Sequence, residues 1–283
     1  MGYIVGIDIG GSTTKIIGLK DSEAKAPMVV KANDPLASLF GAFGKFVDAL
    51  GLRLGDIDQI MLTGVGASYV SKPIYGLPTA KVEEFMANGL GGLFLSKLEK
   101  ALIVSMGTGT AMVRASGDSI EHIGGTGIGG GTIIGLSSRM LNIRDIQLVM
   151  GLAETGDLSK VDLMVGDITR DEVPNLPPHT TASNFGKMSD VAAPADIALG
   201  ILNMVFQSIG MSAIFAMRNQ EMDAAVLIGN LAAVPVCAQV FKQLSDLFGL
   251  RFVIPRSAEH ATSLGAALAC AYGKRISQIG FTD

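Results

Sequence analysis

The chain is poor in the residues that build disulfide, metal and nucleic-acid chemistry. Only Cys237 and Cys270 occur among 283 residues, in no CxxC or CxxH spacing, which excludes a structural zinc site and an iron–sulfur cluster within one chain. The three histidines, His122, His179 and His260, stand far apart without metal-ligand spacing; for His179 and His260 a surface or satisfied core position is expected. Positive charge is scarce too, with 22 Lys and Arg against 26 Asp and Glu and a net charge of -4. A phosphate backbone is bound through a Lys/Arg excess, so nucleic acid is not expected as a partner. No apolar stretch reaches the roughly 18 residues of a membrane span. Met1-Gly2-Tyr3 opens no basic segment ahead of an apolar one. A cytoplasmic protein without membrane contact is expected. The absence of G-x-x-x-x-G-K-[ST] removes the P-loop class of ATPase.

What is present is apolar and glycine-rich. Hydrophobic residues make up 48% and charged ones 17%, with 36 glycines and no low-complexity run, the balance of a compact globular chain. Its length suffices for a large core and two domains of ordinary size. The mean hydropathy of +0.43 fits buried strands and helices and a sizeable oligomer interface.

The chain is organised around its first fifteen residues. Tyr3-Ile4-Val5-Gly6-Ile7-Asp8-Ile9 is a strand, and Gly10-Gly11-Ser12-Thr13-Thr14-Lys15 turns it back. Glycine enters the positive-φ region of a tight turn without steric cost, so a hairpin is expected whose amides can approach an anion. Ser12, Thr13 and Lys15 add donors of the kind that hold phosphate oxygens. Asp8 ends an apolar strand, where a carboxylate needs a cation such as magnesium. A second copy follows in Ala101 to Val113, with Asp8 falling on Ser105, Gly10 on Gly107 and Thr13 on Thr110. Two such hairpins suggest a duplicated domain clasping a polyphosphate.

Elsewhere the pattern is scaffold. Asp34 to Leu50 has helical spacing, and Ile57 to Thr63 reads as a strand opening into Gly64-Val65-Gly66-Ala67. A helix from about Val82 to Leu95 places Val82, Phe85, Met86, Leu90 and Leu93 in one arc. Glu84, Ala87, Asn88 and Gly91 form a small, polar opposite face, which leaves Glu84 off the core side and expected to meet solvent. Gly124 to Leu136 is the most glycine-dense stretch. Gly125-Thr126-Gly127-Ile128-Gly129-Gly130 satisfies G-x-G-x-x-G, but no βαβ unit surrounds it. It reads better as a glycine loop running into a helix from about Gly130 to Leu141, whose free amides would attract phosphate. Val165 to Asp190 looks like a connection or lid. Pro194 to Arg218 is a helix apolar nearly all round, expected in the core or at a subunit contact. A strand ends at Gly229-Asn230, a position suited to adenosine. Helices follow at about Val234 to Leu247 and Glu259 to Tyr272, the latter with Ala261, Gly265, Ala266 and Ala269 for close packing.

The two hairpins resemble the phosphate motifs of the superfamily of actin, the Hsp70 ATPase and the sugar kinases. That resemblance implies an α/β, two-lobed actin-like ATPase (ribonuclease H-like) fold, with mixed sheets flanked by helices and the nucleotide in the cleft. The lobes are expected at 1–95 and 96–283. Four stretches further resemble the type II pantothenate kinases: Asp8 to Lys15, Val82-Glu83-Glu84-Phe85, Gly124 to Thr132, and Ala182-Ser183-Asn184-Phe185-Gly186. This implies ATP-dependent phosphorylation of pantothenate, the first step of coenzyme A biosynthesis, in a cytoplasmic homodimer. The alternatives are a related acceptor such as pantetheine, an ATP-driven dehydratase activator, and a non-catalytic nucleotide-binding regulator. The resemblance makes Glu84 the catalytic base. It assigns ATP to Asp8, Ile9, Gly10, Gly11, Ser12, Thr13, Thr14, Lys15, Thr108, Gly130, Gly131, Thr132, Ile133, Ile134 and Asn230, and Mg2+ to Asp8 through water. Ser105, Thr108, His122 and Thr126 fall to the small-molecule substrate. The family usually carries an arginine for the substrate carboxylate where this chain has His122.

Overall fold

The computed structural model describes residues 2–31, 34–117, 119–171, 173–174, 176–218, 222 and 224–273, with the backbone of 277–278. In it one structural unit occurs twice. Strands β1 (Tyr3–Ile9), β2 (Thr13–Lys20) and β3 (Glu23–Lys31) form an antiparallel meander. Helix α1 (Pro35–Ala49) begins where Asp34 accepts from the Ala37 amide at 2.7 Å. The chain then lays β4 (Ile57–Thr63) parallel to β1 and β5 (Thr79–Lys81) parallel to β4. After α2 (Glu84–Ser96), strands β6 (Lys100–Met106), β7 (Thr110–Ser116) and β8 (Ser119–Thr126) repeat the meander. Next come α3 (Gly130–Met140), α4 (Ile146–Ala153), β9 (Leu163–Met164), α5 (Val165–Ile168), β10 (Thr181–Ser183) and α6 (Pro194–Met217). The chain closes with β11 (Ala225–Ile228), α7 (Pro235–Phe248), β12 (Phe252–Val253), α8 (Ala261–Ala271) and β13 (Ser277–Gln278). The order β5-β4-β1-β2-β3 in one mixed sheet is matched by β12-β11-β6-β7-β8 in the other, and β13 joins the first sheet beside β5.

Helices flank both sheets, and two of them change sides. Helix α8 lies on β1, β2 and β4, while α2 lies on β6, β7, β8 and β11. They meet along glycine. A Cβ on Gly91 would stand 1.9 Å from the Ala261 carbonyl oxygen, and one on Gly265 1.8 Å from that of Ala87. The small face set opposite the apolar arc is therefore the helix contact, with Ala87, Asn88 and Gly91 buried. Amphipathic spacing misplaced it because backbone-to-backbone packing selects small residues rather than large apolar ones.

The larger core lies in the second unit, around Phe206 and Phe241, each burial being worth roughly 1.5–3 kcal/mol. Helix α6 is long and apolar enough to cross a membrane, yet it packs against α3, α4 and α7 in that core. The segment expected as a connection or lid is fastened to it through buried Asp162, which accepts from Phe185 N at 2.9 Å and Asn203 Nδ2 at 2.8 Å.

Two local expectations change. Gly10 and Gly11 turn the first hairpin without entering the left-handed region; their value is space, since a Cβ on Gly10 would approach the Thr13 carbonyl to 3.0 Å. Gly124, Gly125 and Thr126 belong to strand β8 rather than a loop. A Cβ on Gly125 would meet the Thr110 carbonyl at 2.5 Å, so glycine serves strand contact there. Because β8 pairs antiparallel with β7, the dinucleotide fingerprint has no βαβ unit.

Candidate active site

The tips of the two hairpins face one another. A Cβ on Gly11 would stand 3.8 Å from Thr108 Oγ1, and Asn230 Nδ2 donates to Thr13 Oγ1 at 3.2 Å. Asn230 follows Gly229, whose φ of 93° lets the chain turn against the Met106 carbonyl. Gly64 does the same in the first unit, with φ 85° and a Cβ position 2.5 Å from Asp8 Oδ1. The descending strands match as expected, Ser105 standing where Asp8 does. The returning strand is offset by one: Ile9 pairs with Thr14 and Met106 with Thr110, so Thr110 corresponds to Thr14. The first turn is one residue longer, which an ungapped comparison cannot register.

Alternation along the strands sorts the first hairpin's side chains. Val5, Ile7, Ile9 and Ile16 face the core under α1, and Thr14 follows them, its hydroxyl 2.8 Å from Ser38 Oγ. Thr14 and Ile9 thus offer the cleft only backbone. Asp8, Lys15 and Thr63 share the opposite face, in register on β1, β2 and β4, the face that carries α8. Lys15 Nζ lies 3.7 Å from Asp8 Oδ2, both side chains buried. Burial pushes the Asp8 carboxyl up from its ordinary value, with Lys15 opposing.

Glu84 opens α2, half-buried. Burial raises its carboxyl pKa, the Asp8 charge raises it further, and Lys15 pulls it down. Those couplings place Glu84 in the electrostatic neighbourhood of Asp8 and Lys15. Its neighbour Phe85 stacks on His122, ring centres 3.9 Å apart and planes 3° off parallel. The expected base and the expected substrate residue on β8 are thereby joined through one ring.

On the second unit, Ser105 is half-buried and Thr108 exposed at the hairpin tip. Thr126 Oγ1 accepts from Ile128 N at 3.2 Å. The start of α3 is built onto the hairpin: Gly130 N donates to the Gly107 carbonyl at 2.8 Å and Gly131 N to that of Thr108 at 2.9 Å. These amides, expected to be free for phosphate, are committed to the turn. Thr132 Oγ1 accepts from Gly129 N at 3.1 Å, Ile133 lies in the core, and Ile134 is half-buried. Ser12 is exposed at the first tip.

Several neighbours escaped the sequence. Phe85 looked like core. Thr63 was an anonymous strand end, and its Oγ1 is buried without a partner among the described residues. His260, expected satisfied or on the surface, is buried with an unpartnered Nδ1; burial and the Lys15 charge lower its pKa, and Glu259 opposes them. His179 is exposed, as expected. Among the described residues no three His, Cys, Asp or Glu side chains converge on a metal site.

Comparison with known proteins sets this geometry in a family. The Fumble family model matches residues 95–246, more than half of the chain. The type II pantothenate kinase of Bacillus anthracis is 30% identical over 80% of this chain and 82% of its own. That of Staphylococcus haemolyticus is 27% identical over 93% and 98%. Among solved structures, the activator of the 2-hydroxyisocaproyl-CoA dehydratase from Clostridium difficile, with bound ADPNP, superposes with a TM-score of 0.64 at 16% identity, covering 94% of this chain and 93% of that one. The ROK hexokinase from Thermus thermophilus gives 0.53 at 14%, covering 94% and 97%. At those identities the structures establish the fold alone, the two-lobed α/β architecture of the actin-like ATPases and sugar kinases. The sequence matches go further, and the chain belongs to the Fumble family, that of the type II pantothenate kinases.

Proposed function

We propose that this protein transfers the γ-phosphate of ATP to the primary hydroxyl of pantothenate. The observation that carries the reading is the approach of the hairpin tips, Gly11 to Thr108 and Thr13 to Asn230, which offers one triphosphate a grip from both units. Backbone of residues 9–14, Ser12 and Thr13 would hold the phosphates from the first unit. Thr108, Asn230 and the accessible side of the first turn of α3, at Gly131, Thr132 and Ile134, would hold ATP from the second, without the Gly130 and Gly131 amides already bonded to the turn. Phosphoryl transfer needs positioning and charge neutralisation more than covalent help. Lys15 supplies one positive charge. A single buried carboxylate such as Asp8 fits Mg2+, which keeps most of its ligands as water and phosphate oxygens; Asp8 would hold it through water, and the ion would supply charge neutralisation.

Glu84 would accept the hydroxyl proton as that oxygen attacks the γ-phosphorus. The bond from this oxygen forms while the bond to the ADP oxygen breaks, and the proton stays on the carboxylate. Ser105, Thr108, Thr126 and His122 would surround the acceptor. The proposal extends to a cytoplasmic homodimer with lobes dividing near residue 96, α8 and β13 returning to the first sheet. The fold likeness to dehydratase activators carries no such chemistry here, since Cys237 is buried on α7 and Cys270 lies on α8. ATP consumption measured with pantothenate, with pantetheine and with no acceptor tests the reading. Turnover only with pantothenate supports it; turnover only with pantetheine reassigns the acceptor, and ATP binding without turnover makes the protein a regulator.

A further inference from the structure

Among the described residues three buried side-chain polar atoms have no hydrogen-bond partner: Thr63 Oγ1, Asn88 Nδ2 and His260 Nδ1. They are not scattered. Thr63 pairs with Asp8 across β4 and β1, Asn88 lies one helical turn beyond Glu84, and His260 is coupled to Lys15. Unsatisfied buried donors are costly and rare, so their collection around three charged groups calls for a reason.

Asn88 is the most constrained of them. Its side chain is completely buried, and the Thr262 hydroxyl on α8 donates to its Oδ1 at 2.7 Å. With Oδ1 accepting there, Nδ2 is the end of the amide left to donate elsewhere. On an α-helix, residues four apart share a face, and side chains lean toward the N-terminus, over the preceding turn. The residue four before Asn88 is Glu84. We infer that Asn88 is a positioning residue for the reaction, its Nδ2 donating to the Glu84 carboxylate in the loaded cleft and thereby aiming it and favouring its ionised form, with Thr262 as the anchor on the facing helix.

The inference rests on Glu84 being the base. It explains how that carboxylate serves near neutral pH although burial and Asp8 both raise its pKa. The other charged group that bears on Glu84 is Lys15 on β2, which favours ionisation; His260 before α8 feels the Lys15 charge, and His122 stacks on the neighbouring Phe85. A donor from Asn88 acts with Lys15 and against burial.

The test is the acid limb of the pH profile of kcat/KM for the acceptor, measured in wild type, Asn88→Leu and Thr262→Val. Leucine keeps the buried volume and removes the donor; valine keeps the shape of threonine and frees the amide. The expected result is an acid limb moved to higher pH by about one unit in Asn88→Leu, the size of a lost hydrogen bond to an ionised carboxylate, and moved the same way by less in Thr262→Val. A merely structural asparagine lowers activity evenly and leaves the limb in place, which overturns the inference. Should Asn88→Leu fail to fold, an unmoved limb in Thr262→Val overturns it alone. Glu84→Gln is assayed alongside: normal turnover there removes the base and this inference with it, whereas an inactive Glu84→Gln with unmoved limbs removes only the role of Asn88.

Discussion

Asn230 Nδ2 stands 3.2 Å from Thr13 Oγ1, a hydrogen bond between residues more than two hundred positions apart. It ties the turn after β11 to the tip of the first hairpin, and in the proposed reading both side chains would touch the nucleotide shared by the two units. Asn230→Leu is expected to raise the KM for ATP about three- to tenfold, the worth of one neutral hydrogen bond. Initial-rate kinetics at saturating acceptor check it, and an unchanged KM would take Asn230 out of the nucleotide site.

Glu84→Gln keeps the shape of the side chain and loses its ability to accept a proton. Transfer is expected to fall by about 10²–10⁴-fold, with ATP affinity held. Calorimetric titration beside a coupled assay measures both; near-normal turnover contradicts the role.

The same variant is expected to be more stable at neutral pH. Burial raises the folded-state pKa of Glu84 above its unfolded value. The fold therefore favours the protonated form, a contribution complete below the unfolded pKa and lost as pH rises through the folded one. Glutamine stays neutral throughout. Its Tm is expected to exceed that of wild type at neutral pH, the gap closing as pH falls toward the ordinary carboxylate range. Scanning calorimetry at both pH values shows the sign.

His122→Arg is expected to lower the KM for pantothenate about tenfold. A guanidinium can stack on Phe85 as the imidazole does and offer a carboxylate two donors. An unchanged KM would place the acceptor carboxylate elsewhere.

What the residues disclosed in advance, and what they hid, divides by range. The first hairpin, α1 and α6 are local patterns, so strand formers around Gly10-Gly11 and the apolar run from Pro194 were enough. The partner of α2 is α8, some 170 residues later, and nothing within α2 says that Ala87, Asn88 and Gly91 will face Gly265 and Thr262. Gly124 and Gly125 hid strand β8 because glycine is a poor strand former; the close approach to the Thr110 carbonyl explains Gly125, and a φ of 150° explains Gly124. Side-chain direction was hidden as well: Thr13 and Thr14 look alike in sequence, yet Thr13 meets Asn230 and Thr14 meets Ser38.

The α2–α8 contact makes a stability prediction. Gly265→Ala places a Cβ 1.8 Å from the Ala87 carbonyl oxygen, backbone that has nowhere to go. The expected cost is about 3 kcal/mol or more, read as a lower urea midpoint with unchanged slope.

The most direct measurement is a crystal structure with a non-hydrolysable ATP analogue and pantothenate together. The β- and γ-phosphates are predicted to lie between residues 10–13 and 107–110, with the primary hydroxyl of pantothenate in hydrogen-bond reach of the Glu84 carboxylate. Phosphates bound away from either tip, or a hydroxyl turned from Glu84, would contradict the account.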